Sequence, residues 1–416
     1  MMASIEVADV YDAIVVGGRC AGAPTAMLLA RQGHRVLLVD RARFPSDKPV
    51  STHLIVRSGG GALGRWGLLD RVAGLGAPPI PQFALDVGPL EVISSSPDDG
   101  AAQAMYAPRR YLFDALLLEA AREAGVEIRE GFSVRELVRD HDGRVVGVRG
   151  GARNEPSIEE RARIVVGADG IGSVVAREVG AKAYLDVPTK TGTWWGYFHG
   201  VPIDHVHIWI RPRRLFCAAR TNDDLTIVMA YCAIEDFHDF SDDPEGNFSR
   251  ELAEQIPGFY ERFRVGEREG QLLGTGYQPN FLRQAAGRGW ALVGDAGMHH
   301  DSINPSGMSK ALTTAELLAE AIHEGLAGSD AELDAAVQRY QTRRDTRWLP
   351  HWHAIVSFFA NMEPPTPERF ALIGALAASP ELAKRFFAFF QGQAVELGFM
   401  DPENLAQIVG APAPPA

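Results

Sequence analysis

Residues Asp12 to Asp40 read as strand, glycine turn, helix and strand, and few folds begin that way. Asp12 to Val16 (Asp-Ala-Ile-Val-Val) is a buried-strand run. Gly17-Gly18-Arg19-Cys20-Ala21-Gly22 is a tight turn, and Ala23 to Arg31 is a helical stretch. Arg35 to Val39 is a second strand, ending in Asp40. Such a βαβ unit pairs its strands in parallel and aims the helix start at an anion, in the manner of a pyrophosphate site. Gly17 permits the turn, and Gly22 lets the helix pack close to the strand. Asp40 follows Gly22 by eighteen positions, close to the spacing of about 20 at which an acid meets a ribose. The middle position, where glycine lets backbone approach phosphate, is Arg19. Its Cβ crowds that approach, although its guanidinium can turn toward the phosphates.

Two later segments repeat the theme. Ile164-Val165-Val166-Gly167-Ala168-Asp169-Gly170-Ile171-Gly172-Ser173 is a β-branched strand that ends in glycine and acid, with a helix expected near Ser173. By itself, Asp169-Gly170 is a common turn pair. Ala291-Leu292-Val293 is a short apolar strand running into Gly294-Asp295, then a polar loop with Pro305, then a long helix opened by Gly307-Met308.

In order and spacing, the three segments resemble the single-component (group A) FAD-dependent aromatic hydroxylases, the para-hydroxybenzoate hydroxylase-like flavoprotein monooxygenases. The resemblance covers roughly residues 10 to 325. It implies that FAD is held by Gly17, Gly18, Arg19, Cys20, Ala21 and Gly22, with Asp40 and Arg41 at the adenosine end. Asp169 and Gly170 would serve FAD and the nicotinamide nucleotide. Gly294 and Asp295 would lie on the ribityl or ribose side, and Gly307 and Met308 would face the flavin ring. Arg110-Tyr111-Leu112-Phe113-Asp114 matches a family Arg-x-x-Leu-Asp element near the flavin, with Phe for Leu, which adds Arg110 to the set. Two departures stand out. Asp301 and Ser302 replace the family's consecutive prolines, and Gly297-Met298 replaces its Ala-His, with His299 and His300 following.

The activity so implied is that of an FAD-dependent monooxygenase. NADPH or NADH reduces the flavin, and O2 forms a flavin C4a-hydroperoxide. A hydrophobic, aromatic or polyketide-like molecule is then hydroxylated or epoxidised. The cofactor carries the hard chemistry. Available proton-handling side chains are His53, His299, His300 and Asp301, none of which the sequence assigns. Three alternatives remain: an FAD-dependent reductase of prenyl or alkene substrates, a flavin-dependent halogenase fed by a separate reductase, and an inactive FAD-fold binding module. The halogenase pattern Trp-x-Trp-x-Ile-Pro is matched by His207 to Pro212 in only two places.

The expected fold class is α/β: an FAD-binding Rossmann-type domain with an interleaved antiparallel β-sheet substrate domain and a helical C-terminal region. Residues 1–75, 107–184 and 276–328 are assigned to the first, 76–106 and 185–275 to the second, and 329–410 to the third. A disordered tail is expected over 411–416. The loop Arg43 to Gly61 is expected to border the flavin, with His53 and the glycines Gly59 to Gly61. Trp194, Trp195, Tyr197 and Trp209 lie on period-2 runs and are the substrate-side candidates. Glu235 to Glu245 is expected as a solvated loop. A helix from Leu333 to Trp348 is expected to stop at Pro350. Another carries Phe386, Phe387, Phe389 and Phe390 as core residues.

A net charge of −12 argues against nucleic acid as a partner. Cys20, Cys217 and Cys232 are too few and too scattered for a disulfide framework or a zinc site, and fit a reducing cytoplasm. No metal is expected. Nor is a membrane span, since no apolar run of about 18 residues occurs. Oligomeric state is left open.

Overall fold

The computed structural model describes residues 10–95, 102–364 and 366–410, and the statements below concern these. The tail over 411–416 lies outside them. The βαβ unit forms as expected, with strand Tyr11–Val16, helix Gly22–Arg31 and strand Val36–Asp40, the strands parallel and Ala13 opposite Val36. These strands are central in an eight-stranded sheet. Its main path is Ala286–Gly287, Trp290–Leu292, Ile158–Gly167, Tyr11–Val16, Val36–Asp40, Glu127–Glu130. From Trp290–Leu292 onward every pair on that path is parallel.

Parallel strands are covered on both faces, so their sequences are continuously apolar. Ala13 and Val15 face the helices Gly22–Arg31, Arg110–Glu123 and Gly307–Leu326, through Met27, Leu117 and Leu312. Ile14 and Val16 face the other way, toward Val148 and Val175. An antiparallel pair, Ser133–Arg139 with Val145–Gly151, hangs from Ile158–Gly167.

The second sheet has seven strands in the order Glu267–Thr275, Thr191–His199, Thr226–Ala233, Arg214–Arg220, Val206–Arg211, Phe83–Asp86, Glu91–Ser94. It is antiparallel except where Val206–Arg211 runs parallel to Phe83–Asp86. That exception follows from topology: Phe83–Asp86 arrives from far upstream and joins an edge already set by later hairpins. A three-stranded sheet joins Ala183–Val187, Asn280–Arg283 and Met298–His299.

Several expectations change. Gly59 to Gly61 lie inside a helix, Arg57–Arg65, and not in a loop. Close packing is the reason: a Cβ on Gly59 would lie 2.8 Å from Ser309 Cβ on the Gly307–Leu326 helix. The acidic stretch Glu235 to Glu245 is largely helical, with Phe237–Ser241 followed by Pro244–Gln255 and Pro257–Phe263. Its acids are exposed or half-buried, but Phe237 and Phe240 stack on Trp194 at 5.8 and 6.2 Å and anchor the turn to the sheet. Pro350 does not end its helix, which runs Asp330–Ala354 and widens into a π-helical turn at Ile355–Phe359. Trp348 and Trp352, both buried, hold the chain on either side of the missing N–H. Phe386, Phe387, Phe389 and Phe390 are core residues of helix Pro380–Phe390.

Candidate functional site

Parallel pairing sets Val16, Gly167 and Leu292 abreast, so the chain leaves the sheet three times at one edge, each time through a glycine–acid segment. The segments touch where side chains are missing. A Cβ on Gly17 (φ +105°) would lie 2.5 Å from the Ala168 carbonyl oxygen. On Gly294 it would lie 2.7 Å from Ala21 Cβ. On Gly22 it would overlap the Gly17 carbonyl oxygen and stand 3.0 Å from Ala168 Cβ. Two helices start at this edge, Gly22–Arg31 and Gly307–Leu326, and neither has a side-chain cap or an acid in its first turn. Backbone N–H groups left free at a helix start suit anionic oxygens. Around Gly307 a Cβ would meet nothing within 4 Å, so that start is open.

The polar residues fall into two groups. Asp40 accepts from the Gly18 and Ala42 N–H groups, at 2.7 Å each, and so holds the turn. Arg41 beside it is exposed. Arg19 does not point at the turn's open side. Its guanidinium donates to Asp114 Oδ2 at 2.5 Å and to Ser46 Oγ at 2.8 Å. A fully buried carboxylate needs cations, and Asp114 gathers three donors. Besides Arg19, Arg110 binds it twice at 3.1 and 3.0 Å, and the Cys20 thiol donates at 3.3 Å. Burial pushes the Cys20 thiol up, which makes it a protonated packing group. Asp114 belongs to the Arg110–Asp114 element, but only its partners reveal it as the hub.

Asp169 is largely spent as a helix cap. It accepts from Ser173 Oγ at 2.5 Å and from the Val174 N–H at 2.6 Å, at the start of Val174–Glu178. Burial nevertheless pushes its carboxyl up. Gly170 follows with φ +80°. Asp295 faces Lys310, whose ammonium donates to Asp295 Oδ1 at 3.1 Å and to the Met298 carbonyl at 2.7 Å. Burial raises the Asp295 carboxyl, yet the Lys310 ammonium, with His299 and Arg110, holds it below the usual range. Lys310 was not among the expected site residues. Its signal is a lysine in an otherwise apolar and hydroxylic stretch of a buried helix.

His53 is fully buried at φ 58°, a backbone strain that a non-glycine residue keeps only when its surroundings impose it. Its Nε2 is hydrogen-bonded to the Tyr197 hydroxyl, and its Nδ1 is buried without a partner. Burial, with Arg110 and Arg109 nearby, pulls the ring down to about 3, so the imidazole is neutral. Burial pushes Tyr197 up to about 12, although the Arg109 guanidinium lies 4.1 Å from its ring centre. Met308 is buried beside this segment and accepts from the Ser51 hydroxyl at 3.7 Å.

The loop before Gly307 is a network. His299 is bonded through Nδ1 to the Pro279 carbonyl. His300 Nδ1 lies 3.0 Å from the Asp301 carbonyl, and its Nε2 lies 3.4 Å from Ser306 Oγ. Ser306 Oγ also lies 3.1 Å from His351 Nε2. His351 reaches the loop from the helix Asp330–Ala354 and could not be foreseen at such sequence distance. Asp301 accepts from the Thr191 hydroxyl at 2.8 Å and the Ile303 N–H at 3.0 Å, while Ser302 N–H donates to Gln278 Oε1 at 3.0 Å. Where the resembled family has prolines, this chain uses side-chain hydrogen bonds to shape the loop.

Asp301 carries a pH signature. Burial, against the Thr191 and Ile303 hydrogen bonds, pushes its carboxyl from 3.8 to about 7. The folded state therefore keeps a proton that the unfolded chain loses first. The stabilisation is whole below pH 3.8 and is lost as pH rises to about 7. The full swing is up to about 4 kcal/mol, from about 1.4 kcal/mol per pKa unit. Asp301→Asn is expected to flatten that part of the profile in urea unfolding followed against pH. An unchanged slope in the variant would assign the titration elsewhere.

The four aromatic candidates separate. Trp195 and Tyr197 lie on the sheet face that also carries Ile208, Leu215 and Met229. Trp194 and Trp209 lie on the opposite face, under Phe240 and Phe259. Strand alternation forces this split, and it takes Trp194 and Trp209 away from the side where His53 meets Tyr197.

A family profile described as FAD binding domain matches residues 10–347. Among curated proteins, FixC of Salmonella typhi is 34% identical over 182 residues, which cover 41% of this chain and 39% of FixC. The match thus spans about two fifths of that relative's length. Among solved structures, the flavin-dependent brominase Bmp2 superposes with TM-score 0.80 at 19% identity, covering 97% of this chain and 98% of its own. PqsL of P. aeruginosa, in complex with 2-aminobenzoylacetate, gives TM-score 0.70 at 24% identity, covering 92% of this chain and 100% of its own. These two similarities concern the fold. No helix among the described residues is long and apolar enough to cross a membrane.

Proposed function

We propose, from the premise that this chain belongs to the FAD-binding domain family, that it is an FAD-dependent monooxygenase. It would use NADH or NADPH and O2 to hydroxylate or epoxidise a hydrophobic, aromatic or polyketide-like small molecule. One observation carries the reading: three glycine–acid exits converge at one sheet edge, beside two uncapped helix starts. In this reading Gly17, Gly18, Ala21 and Gly22 cradle the pyrophosphate, and Asp40 meets the ribose. Asp295, Gly307 and Met308 serve the flavin end, and Arg110 and Arg19 brace the turn through Asp114. FAD, when bound, would supply the redox chemistry that links the nicotinamide to O2. The division into a discontinuous FAD domain, a sheet domain for substrate and a helical C-terminal region belongs to the same proposal, as does a cytoplasmic location.

The chain's own residues then have three tasks. The first is to exclude water, and His53, Met308 and Ile303 are buried around the loop that would border the flavin. The second is orientation. His53 is too weakly basic, at about 3, to act as a base near neutrality. Its role is to hold a hydrogen bond with Tyr197 and so fix that ring on its sheet face. The third is proton exchange, for which Asp301, at about 7, is the better matched group.

The test is the visible absorbance of flavin-loaded protein, followed anaerobically while NADH or NADPH is added. Bleaching of the flavin band, and O2 uptake on re-aeration, is the expected result. A band that stays oxidised with both nucleotides would overturn the self-contained monooxygenase and favour an enzyme fed by a separate reductase, as a halogenase reading requires.

A further inference from the structure

An apolar cleft lies between the second sheet and the C-terminal helices. A mostly apolar lining with a few polar groups is the usual character of a small-molecule site. Ile208 and Leu215 from the sheet, and Phe359, Phe387 and Phe390 from the helices, form its walls. Its inner end includes Ile303, a buried residue two places beyond Asp301 and four before Gly307. The next residue, Asn304, donates to the Phe390 carbonyl at 3.0 Å, which ties the cleft wall to that loop. The cleft therefore begins where the flavin end is proposed to lie.

Its outer end is charged. Arg211, Arg214, Glu363 and Arg369 line it. Three of the four are neutralised. Arg211 pairs with Asp86 at 2.9 Å, Arg214 with Asp236 at 2.7 Å and Glu251 at 2.9 Å, and Glu363 with Arg213 at 3.3 Å. Arg369 differs. Its guanidinium donates to the Asn361 carbonyl at 3.2 Å and to the Phe358 carbonyl, and lies 4.2 Å from the Phe358 ring centre. Among the described residues no carboxylate forms an ion pair with it. The outer end thus keeps one unneutralised positive charge, half-buried beside exposed Asn361 and Glu363.

We propose that this cleft is the substrate chamber and that it takes an amphipathic molecule, with its apolar body against Ile303, Phe387 and Phe390 and an anionic head group at Arg369. The proposal rests on the monooxygenase reading for what happens at the inner end, but not for binding. A chamber closed by a cation selects by charge as well as by fit. A neutral or cationic head leaves the half-buried Arg369 charge without a counter-charge, which is the costlier state.

The test uses FAD-loaded protein and calorimetric titration with decanoate, decanol and decyltrimethylammonium, three probes that share a chain and differ in head group. Decanoate is expected to bind about tenfold more tightly than decanol, as for a charge-assisted hydrogen bond, with decyltrimethylammonium weakest. Added salt should shrink that preference in the parent protein, without need of any variant. Arg369→Gln should bring decanoate down to decanol's affinity, Arg369→Lys should keep most of the preference, and Leu376→Phe, at a residue that also lines the cleft, should weaken both probes by narrowing the chamber. Equal affinities for decanoate and decanol in the parent, or a preference that survives Arg369→Gln, would overturn the proposal. Failure of the monooxygenase reading would appear instead as absent flavin reduction, with probe binding unchanged.

Discussion

Gly22→Ala is expected to purify without yellow colour. The added Cβ has nowhere to go. It would overlap the Gly17 carbonyl oxygen, lie 2.9 Å from the Gly17 carbonyl carbon, and stand 3.0 Å from Ala168 Cβ. Two of those atoms are backbone of a turn held by Asp40 through the Gly18 N–H. Relief therefore requires moving the helix Gly22–Arg31 off the sheet or opening the turn. Overpacking of this kind costs about 1–3 kcal/mol. The loss of flavin should be more complete than the loss of stability, because the same displacement misaims the N–H groups that would meet the pyrophosphate. Gly33→Ala is the control. Gly33 also has positive φ, at +88°, but a Cβ there meets nothing within 4 Å. It should lose about 1–2 kcal/mol through backbone strain alone and keep its flavin. The ratio of visible to ultraviolet absorbance, read beside urea unfolding, separates the two. A yellow Gly22→Ala protein of parental stability would show that this turn does not hold the cofactor.

Asp114→Ala should produce the largest loss of stability of any single change near the site, about 3–5 kcal/mol, the cost of removing one partner from a buried ion pair. Arg110 is 8% exposed and gives two of its donors to this carboxylate, while Arg19 and the Cys20 thiol give one each. Without Asp114, a buried guanidinium keeps its charge and loses its acceptors. Arg19 can relax toward Ser46 and solvent, so it contributes less. Asp114→Asn should fall between, since it keeps the shape and one acceptor oxygen. Equilibrium urea unfolding of the flavin-free forms measures both, which keeps cofactor binding out of the comparison. A loss under about 1 kcal/mol for the alanine variant would mean that Arg110 finds other partners, contrary to a rigid hub.

Much of this architecture was legible because local rules and global fold agree. The runs Ala13–Val16, Ile164–Val166 and Ala291–Val293 are apolar without alternation, as strands covered on both faces require. Their glycine–acid endings mark where each leaves the sheet. The helix Gly307–Leu326 begins where the residues Gly307-Met308 place its start. The misreadings share a cause: a neighbour distant in sequence overrode a local preference. Gly59 to Gly61 became helix on a segment where Gly59 packs against Ser309 and Gly60 against Ala102, and Glu235 to Glu245 became helical because Phe237 and Phe240 stack on Trp194. Pro350 stayed in a helix that buried tryptophans hold on both sides.

The same distinction runs through the site. Residue order alone determined the parallel sheet, the turn between Gly17 and Gly22, the acid at Asp40 and the family to which they point, because covalent spacing places those groups whatever surrounds them. Tertiary structure decided which groups are occupied and which are available. It turned Arg19 to Asp114, spent Asp169 on a helix cap, paired Lys310 with Asp295, and brought His351 to Ser306 and Tyr197 to His53. It also put Trp194 and Trp209 on the far face of their sheet and left Arg369, at the end of an apolar cleft, without an ion-pair partner among the described residues. Burial, charge balance and hydrogen-bond partnership depend on atoms brought together from across the chain, and no local stretch of sequence carries them.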